Sequence, residues 1–178
     1  MYIFKISPII RITLYCLYIA LTIPLPFLAD FTNSPVPSPV LWVGIFVGAI
    51  VVYAALSERV ILDDKKIKVA YPDWVPDFFR KGWSLSWQEI NNLKMRTTGQ
   101  GGLVYYFTSD TADKAYLLPM RIAGFNKMVN IITEKTGIDT TDIRPLSQPW
   151  MYLILFCCTM ILWLFDGWTI WTATHLAV

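Results

Sequence analysis

The chain has 178 residues, of which 55% are hydrophobic and only 16% charged, and its formal net charge is +2. So mild a balance argues against nucleic acid as a partner, because phosphate binding normally leaves a strongly basic surface. Three cysteines and one histidine offer neither a disulfide framework nor a zinc-ligand pattern, and no cofactor is expected.

Residues 12–28 form the first long apolar stretch, preceded by Lys5 and Arg11; residues 40–56 form the second and 150–172 the third. A helix crosses a hydrocarbon core in about 20 residues, so three transmembrane helices are predicted. All 15 Lys and Arg precede the first stretch or fall between the second and third. Because cytoplasmic loops retain Lys and Arg, the N-terminus and the block after the second stretch are expected in the cytoplasm, with the C-terminal tail on the far side. The expected organisation is a transmembrane hairpin over 1–57, a cytoplasmic domain over 58–148, and a C-terminal transmembrane helix with its tail over 149–178. The first stretch is read as retained rather than as a cleaved signal peptide, since Pro24 and Pro26 interrupt its far end and no clean small-x-small site follows.

The link over 30–39 is short and proline-rich, which makes the first two spans an antiparallel hairpin. Gly44 and Gly48 form a G-x-x-x-G in the second span. This spacing places two bare positions on one face and suits close helix packing, although glycine is also common in membrane helices generally. In the third span Trp150 and Tyr152 mark one interface and Trp168 and Trp171 the other. Asp166 is then expected near the far interface, within reach of water, and His175 is read as a lone surface group. Cys16, Cys157 and Cys158 all lie within apolar spans.

Between the second and third spans the pattern changes to short strand-like runs. Arg59–Leu62 and 67–70 flank the turn Asp63-Asp64-Lys65-Lys66 and read as a hairpin. Further runs follow at 83–87, 90–97, Leu103–Thr108 and 114–118, with a glycine turn at 99–102 and a polar turn at 109–113. Phe125–Thr136 places Phe125, Met128, Val129 and Ile132 on one helical stripe and stops before Gly137. The glycine turn lacks the Gly-Lys-Ser/Thr ending of a phosphate-binding loop and is read as a hairpin turn.

Meandering strands closed by one amphipathic helix describe a small curved sheet with a helical cap. The strand-turn-strand opening over 59–70, the segment Trp87-Gln88-Glu89-Ile90-Asn91-Asn92-Leu93 and the closing helix resemble bacterial pleckstrin-homology-like (PH-like) domains found beside membrane hairpins. That resemblance implies an α+β membrane protein with three transmembrane helices and a PH-like sheet or barrel closed by a helix. The wider pattern, including Phe79 to Trp87, Gly99 to Phe107 and Gln148 to Tyr152, is similar to a group of cyanobacterial membrane proteins carrying that domain. This implies a thylakoid or plasma membrane setting and an auxiliary role in photosystem II biogenesis, with photosystem subunits or assembly factors as partners. One departure matters: Asp63 and Asp64 beside Lys65 and Lys66 nearly cancel the local field, which argues against specific phosphoinositide binding.

The segment from Tyr71 to Trp83 is the candidate site. Two prolines keep it from being a regular strand or a long helix, yet it carries five aromatic residues and then two cations. Trp74, Phe78, Phe79, Arg80, Lys81 and Trp83 are the residues expected to meet a partner or lipid. Three readings stay open: a membrane-interface segment, a protein-docking loop, and a stretch that folds back to complete the core. Enzyme is the least favoured class, because no nucleophile has a histidine on its own side of the membrane. A transporter is disfavoured for want of a polar site at the membrane midplane. A non-enzymatic membrane-anchored scaffold or assembly factor is expected, with a lipid-surface-binding module as the alternative.

Overall fold

A computed structural model describes residues 1–97, 99, 103–109, 114–143 and 149–175. The expected glycine turn at 99–102, except Gly99, and the polar turn at 109–113, except Ser109, lie outside the described residues. The chain divides into two compact units, one of Met1–Ser7 with Ser57–Gln148 and one of Pro8–Leu56 with Pro149–Val178.

The first unit is α+β. Strands β1 (Tyr2–Lys5), β2 (Arg59–Leu62), β3 (Lys66–Ala70) and β4 (Trp83–Ser86) form an antiparallel sheet in that order. A second antiparallel sheet has the order β5 (Asn92–Thr97), β6 (Leu103–Thr108) and β7 (Ala115–Leu117). Alternation sends Val60 and Leu62, Ile67 and Val69, and Tyr105 and Phe107 into the core. Helix α4 (Phe125–Thr136) lays its predicted stripe of Phe125, Met128, Val129 and Ile132 into the same core, and Gly137 at φ 70° closes it in the left-handed conformation.

Three expectations need correction. The first seven residues belong to this unit and not with the membrane hairpin: Phe4 and Ile6 are 8% and 5% exposed, and β1 pairs with β2 through Lys5↔Arg59. The two sheets do not close into a barrel among the described residues. After β4 the chain enters a 3-10 turn at Trp87–Glu89 instead of extending the strand through residue 87, and an isolated bridge, Ile6↔Ile122, joins the residue after β1 to the segment after β7. The Ser86 and Glu89 capping box holds that turn, and the Trp87 indole donates to the Asp63 carbonyl at 2.9 Å.

The second unit consists of apolar helices. Helix α1 (Pro8–Thr22) runs into α2 (Pro24–Phe31) with a break at Ile23, because Pro24 has no N–H to continue the ladder. Helix α3 (Ser38–Ala55) and helix α5 (Pro149–His175) complete it. All three stretches, Pro8–Phe31, Ser38–Ala55 and Trp150–His175, are long and apolar enough to cross a membrane. The first begins earlier than expected, since Pro8 sits well at a helix start.

Side-chain donors on backbone carbonyls tie these helices together. Tyr18 Oη donates to the Ile45 carbonyl at 2.7 Å, Thr13 Oγ1 to Tyr152 at 3.4 Å, and the Trp163 indole to Cys16 at 3.2 Å. Helix α1 is thereby hydrogen-bonded to both α3 and α5, and α2 packs against both as well.

Candidate functional site

The connection from β3 to β4 is built from two successive turns of the same composition. Pro72-Asp73-Trp74-Val75 and Pro76-Asp77-Phe78-Phe79 repeat a P-D-aromatic-apolar pattern. In each, the fourth residue's N–H donates to the proline carbonyl, Val75 to Pro72 at 2.9 Å and Phe79 to Pro76 at 3.0 Å. The aromatic ring thus takes the third position of both turns. Trp74 is 47% exposed and Phe78 91%, whereas Val75 between them is buried. This tandem repeat is legible in the sequence once the prolines are aligned, but single-residue reasoning about loop aromatics misses it.

Trp74, Phe78, Phe79, Arg80 and Lys81 all come to the surface. Trp83 does not join them: its half-buried ring lies 6.0 Å from Phe107 and 5.3 Å from Tyr116, bridging the two sheets. The segment is therefore split between the readings, with Val75 and Trp83 serving the fold and the turn aromatics left outside. Gly82 is where the two parts meet. A Cβ there would collide with the Val69 carbonyl, so only glycine lets the returning chain approach β3 this closely.

Replacing Trp74 and Phe78 together with alanine is expected to cost the α+β unit less than about 1 kcal/mol, while Trp83→Ala costs about 3 kcal/mol. Thermal denaturation followed by circular dichroism separates the two. A W74A/F78A protein that fails to fold would place these rings in the core after all.

An open cleft of about 510 Å³ is lined by this loop and by residues of β3 and β4, with Lys68, Arg80, Lys81, Asp73 and Asp77 among its walls. Beside it, Tyr71 Oη donates to Glu58 Oε1 at 3.0 Å, and Arg59 Nη2 donates to the Tyr71 carbonyl at 3.4 Å. Burial pushes the Glu58 carboxyl above its usual range, against the opposing pull of the Tyr71 hydrogen bond and of Arg80 and Arg121. Burial first, then the Glu58 charge, pushes Tyr71 up to about 12.

A tyrosine that ionises at about 12 when folded but near 10 when unfolded contributes stability that is present below pH 10 and lost as the pH rises toward 12. The α+β unit is therefore expected to lose stability over that interval, and Tyr71→Phe to remove this part of the decline. Denaturant midpoints measured across the interval test it, and an unchanged slope in Tyr71→Phe would count against the coupling.

The two glycines of the second span have different surroundings. A Cβ on Gly48 would collide with the Tyr18 hydroxyl, whereas one on Gly44 meets nothing within 4 Å. Gly48 serves packing inside the chain and Gly44 faces outward. At the far end of α5, the His175 ring stacks on Trp171 with centroids 5.0 Å apart. Among the described residues no three His, Cys, Asp or Glu side chains gather as a metal site.

No protein-family model and no solved structure matches the chain. An uncharacterized protein of the cyanobacterium Synechocystis sp., slr0269, is 55% identical over 162 residues, which span 90% of this chain and 81% of that relative. The match runs through most of both units, and the chain belongs to the same cyanobacterial family as the Synechocystis protein slr0269.

Proposed function

We propose that the chain is a non-enzymatic, membrane-anchored interaction module, a scaffold or assembly factor for a membrane protein complex, with a PH-like cytoplasmic domain. The observation that carries this reading is the way the sheet is assembled. β1 precedes the hairpin and β2 follows it, yet they share one ladder, Tyr2↔Leu62 to Lys5↔Arg59. The domain thus grows from both ends of a membrane hairpin, and its two segments must occupy one side of any membrane the hairpin crosses. Retention of Lys and Arg makes that side the cytoplasm.

Among the described residues, seven strands in two sheets followed by one helix support the PH-like reading, with the helical hairpin inserted between β1 and β2. Other membrane proteins are the proposed partners, met in the membrane through α3. Its Gly44 face is open, and Val43, Phe46 and Val47 are among its exposed residues. The narrower proposal, service in photosystem II biogenesis in the thylakoid, is supported only by the cyanobacterial relative and the sequence resemblance.

Affinity isolation of the tagged full chain from membranes in mild detergent is the test. Co-migrating membrane proteins are the expected result, with photosystem II subunits or assembly factors among them on the narrower reading. A chain that runs alone at every detergent strength sinks the module reading.

A further inference from the structure

The register of the first sheet says where the aromatic turns emerge. Lys5, Arg59 and Ala70 are successive partners across β1, β2 and β3, and Val69 pairs with Trp83 of β4. The connection holding Trp74, Phe78 and Phe79 therefore leaves and re-enters the sheet at the end where Lys5 and Arg59 sit. Two residues separate Lys5 from Pro8, where α1 begins, and three separate Ala55, where α3 ends, from Arg59. Three residues reach no further than about 10 Å. Chain connectivity alone ties that end of the sheet to the membrane surface.

We propose that the tandem turns over 72–81 are an interfacial anchor. Trp74, Phe78 and Phe79 enter the headgroup layer of the membrane that holds the chain's own helices, and Arg80 and Lys81 face anionic lipid phosphates. Phe78, at 91%, is the most exposed large apolar side chain among the described residues. Backbone hydrogen bonds already fix both turns, so little ordering remains to be lost when the rings enter the interface. Aromatic rings with adjacent cations suit that layer, whose apolar and anionic parts lie within one side chain's length.

Charge agrees with this placement. At this end of the sheet Lys5, Arg59, Arg80, Lys81 and Arg121 outnumber Glu58, Asp73 and Asp77. At the opposite end the excess is smaller, Lys65, Lys66, Lys127 and Lys135 against Asp63, Asp64 and Glu89, with Lys135 paired to Asp64 at 3.3 Å and Lys127 over the Tyr2 ring. The inference rests on the chain being a membrane-held module and adds what its candidate loop contacts.

The test uses the full chain with Cys16, Cys157 and Cys158 replaced by alanine and one new cysteine carrying an environment-sensitive fluorophore. Asp77→Cys reports from the turns with all three rings intact, and Asp64→Cys from the opposite end of the sheet. In nanodiscs of phosphatidylcholine with phosphatidylglycerol, a headgroup-level nitroxide lipid is expected to quench the label at 77 several-fold more than the label at 64. Adding W74A/F78A/F79A is expected to abolish the difference, and R80E/K81E to reduce it by about half in discs containing the anionic lipid. Equal quenching at 77 and 64 overturns the anchor, and an unchanged result in R80E/K81E overturns the phosphate contact. A label at 77 that is wet in nanodiscs but shielded in native membranes assigns the loop to a protein partner. That outcome overturns the lipid assignment while leaving the module reading intact.

Discussion

Removing residues 2–6 is expected to unfold the α+β unit, even though the second apolar helix and everything after it remain. The loss takes away an edge strand, its four-residue ladder with β2, and the buried side chains of Phe4 and Ile6. Truncating one such core side chain costs about 2–5 kcal/mol, and a domain of this size has about 5–15 kcal/mol in total. Losing two core side chains and a ladder together approaches that total. A fragment over 58–148, which the sequence marks out as the domain, is therefore expected to be unfolded or molten in isolation.

The same geometry supplies the remedy. Lys5 and Arg59 are direct partners, so Met1–Ser7 joined by a short Gly/Ser linker to Ser57–Gln148 reproduces the sheet without the hairpin. This linked domain is expected to melt cooperatively and resist limited proteolysis, and 58–148 alone to do neither. Equal melting of the two would show that β1 is dispensable. The outcome also bears on the first span, since its removal as a signal peptide would take β1 with it.

The second large effect separates the two glycines of α3. Gly48→Leu drives a side chain into Tyr18 and displaces the hydroxyl that donates to the Ile45 carbonyl. Overpacking at such a site costs about 1–3 kcal/mol, and the lost hydrogen bond adds about 1 kcal/mol. Looser association of the α1 and α3 helices is expected, read as faster proteolysis of the hairpin or a lower unfolding temperature in detergent. Gly44→Leu meets open space and is expected to leave that temperature unchanged while reducing recovery of co-isolated membrane proteins. If Gly44→Leu lowers stability as much as Gly48→Leu, the outward-facing assignment of Gly44 is wrong.

Much of the architecture was legible from local pattern. Apolar runs of spanning length mark the three helices that are able to cross a membrane, because that signal needs only composition over about 20 residues. The stripe Phe125, Met128, Val129 and Ile132 and the stop at Gly137 are local as well, since helical periodicity and a left-handed cap are written within one segment. The hairpin from Arg59–Leu62 into the strand ending at Ala70 carries its own turn signal.

What the sequence left undetermined depends on pairing between distant positions. Tyr2–Lys5 is four residues long and lies just ahead of an apolar helix, so its pattern merges with the run that follows; only pairing with Arg59–Leu62 identifies it as a strand. Whether Trp83 is a surface or a core ring was likewise undecided until β6 and β7 brought Phe107 and Tyr116 against it. Composition could mark the region from Tyr71 to Trp83 as unusual but could not divide it.

By itself, the sequence determined that three segments are long and apolar enough to cross a membrane, that one block of α+β structure lies between the second and third, and that every Lys and Arg falls in that block or ahead of the first. Only the tertiary structure decided that this block is completed by the chain's first residues. It also decided that Gly48 and not Gly44 meets Tyr18, and that the paired proline turns stand at the end of the sheet where the hairpin is attached. The physical reason is that hydropathy and helical period are properties of contiguous residues, whereas strand register and close approach are set by partners many residues apart.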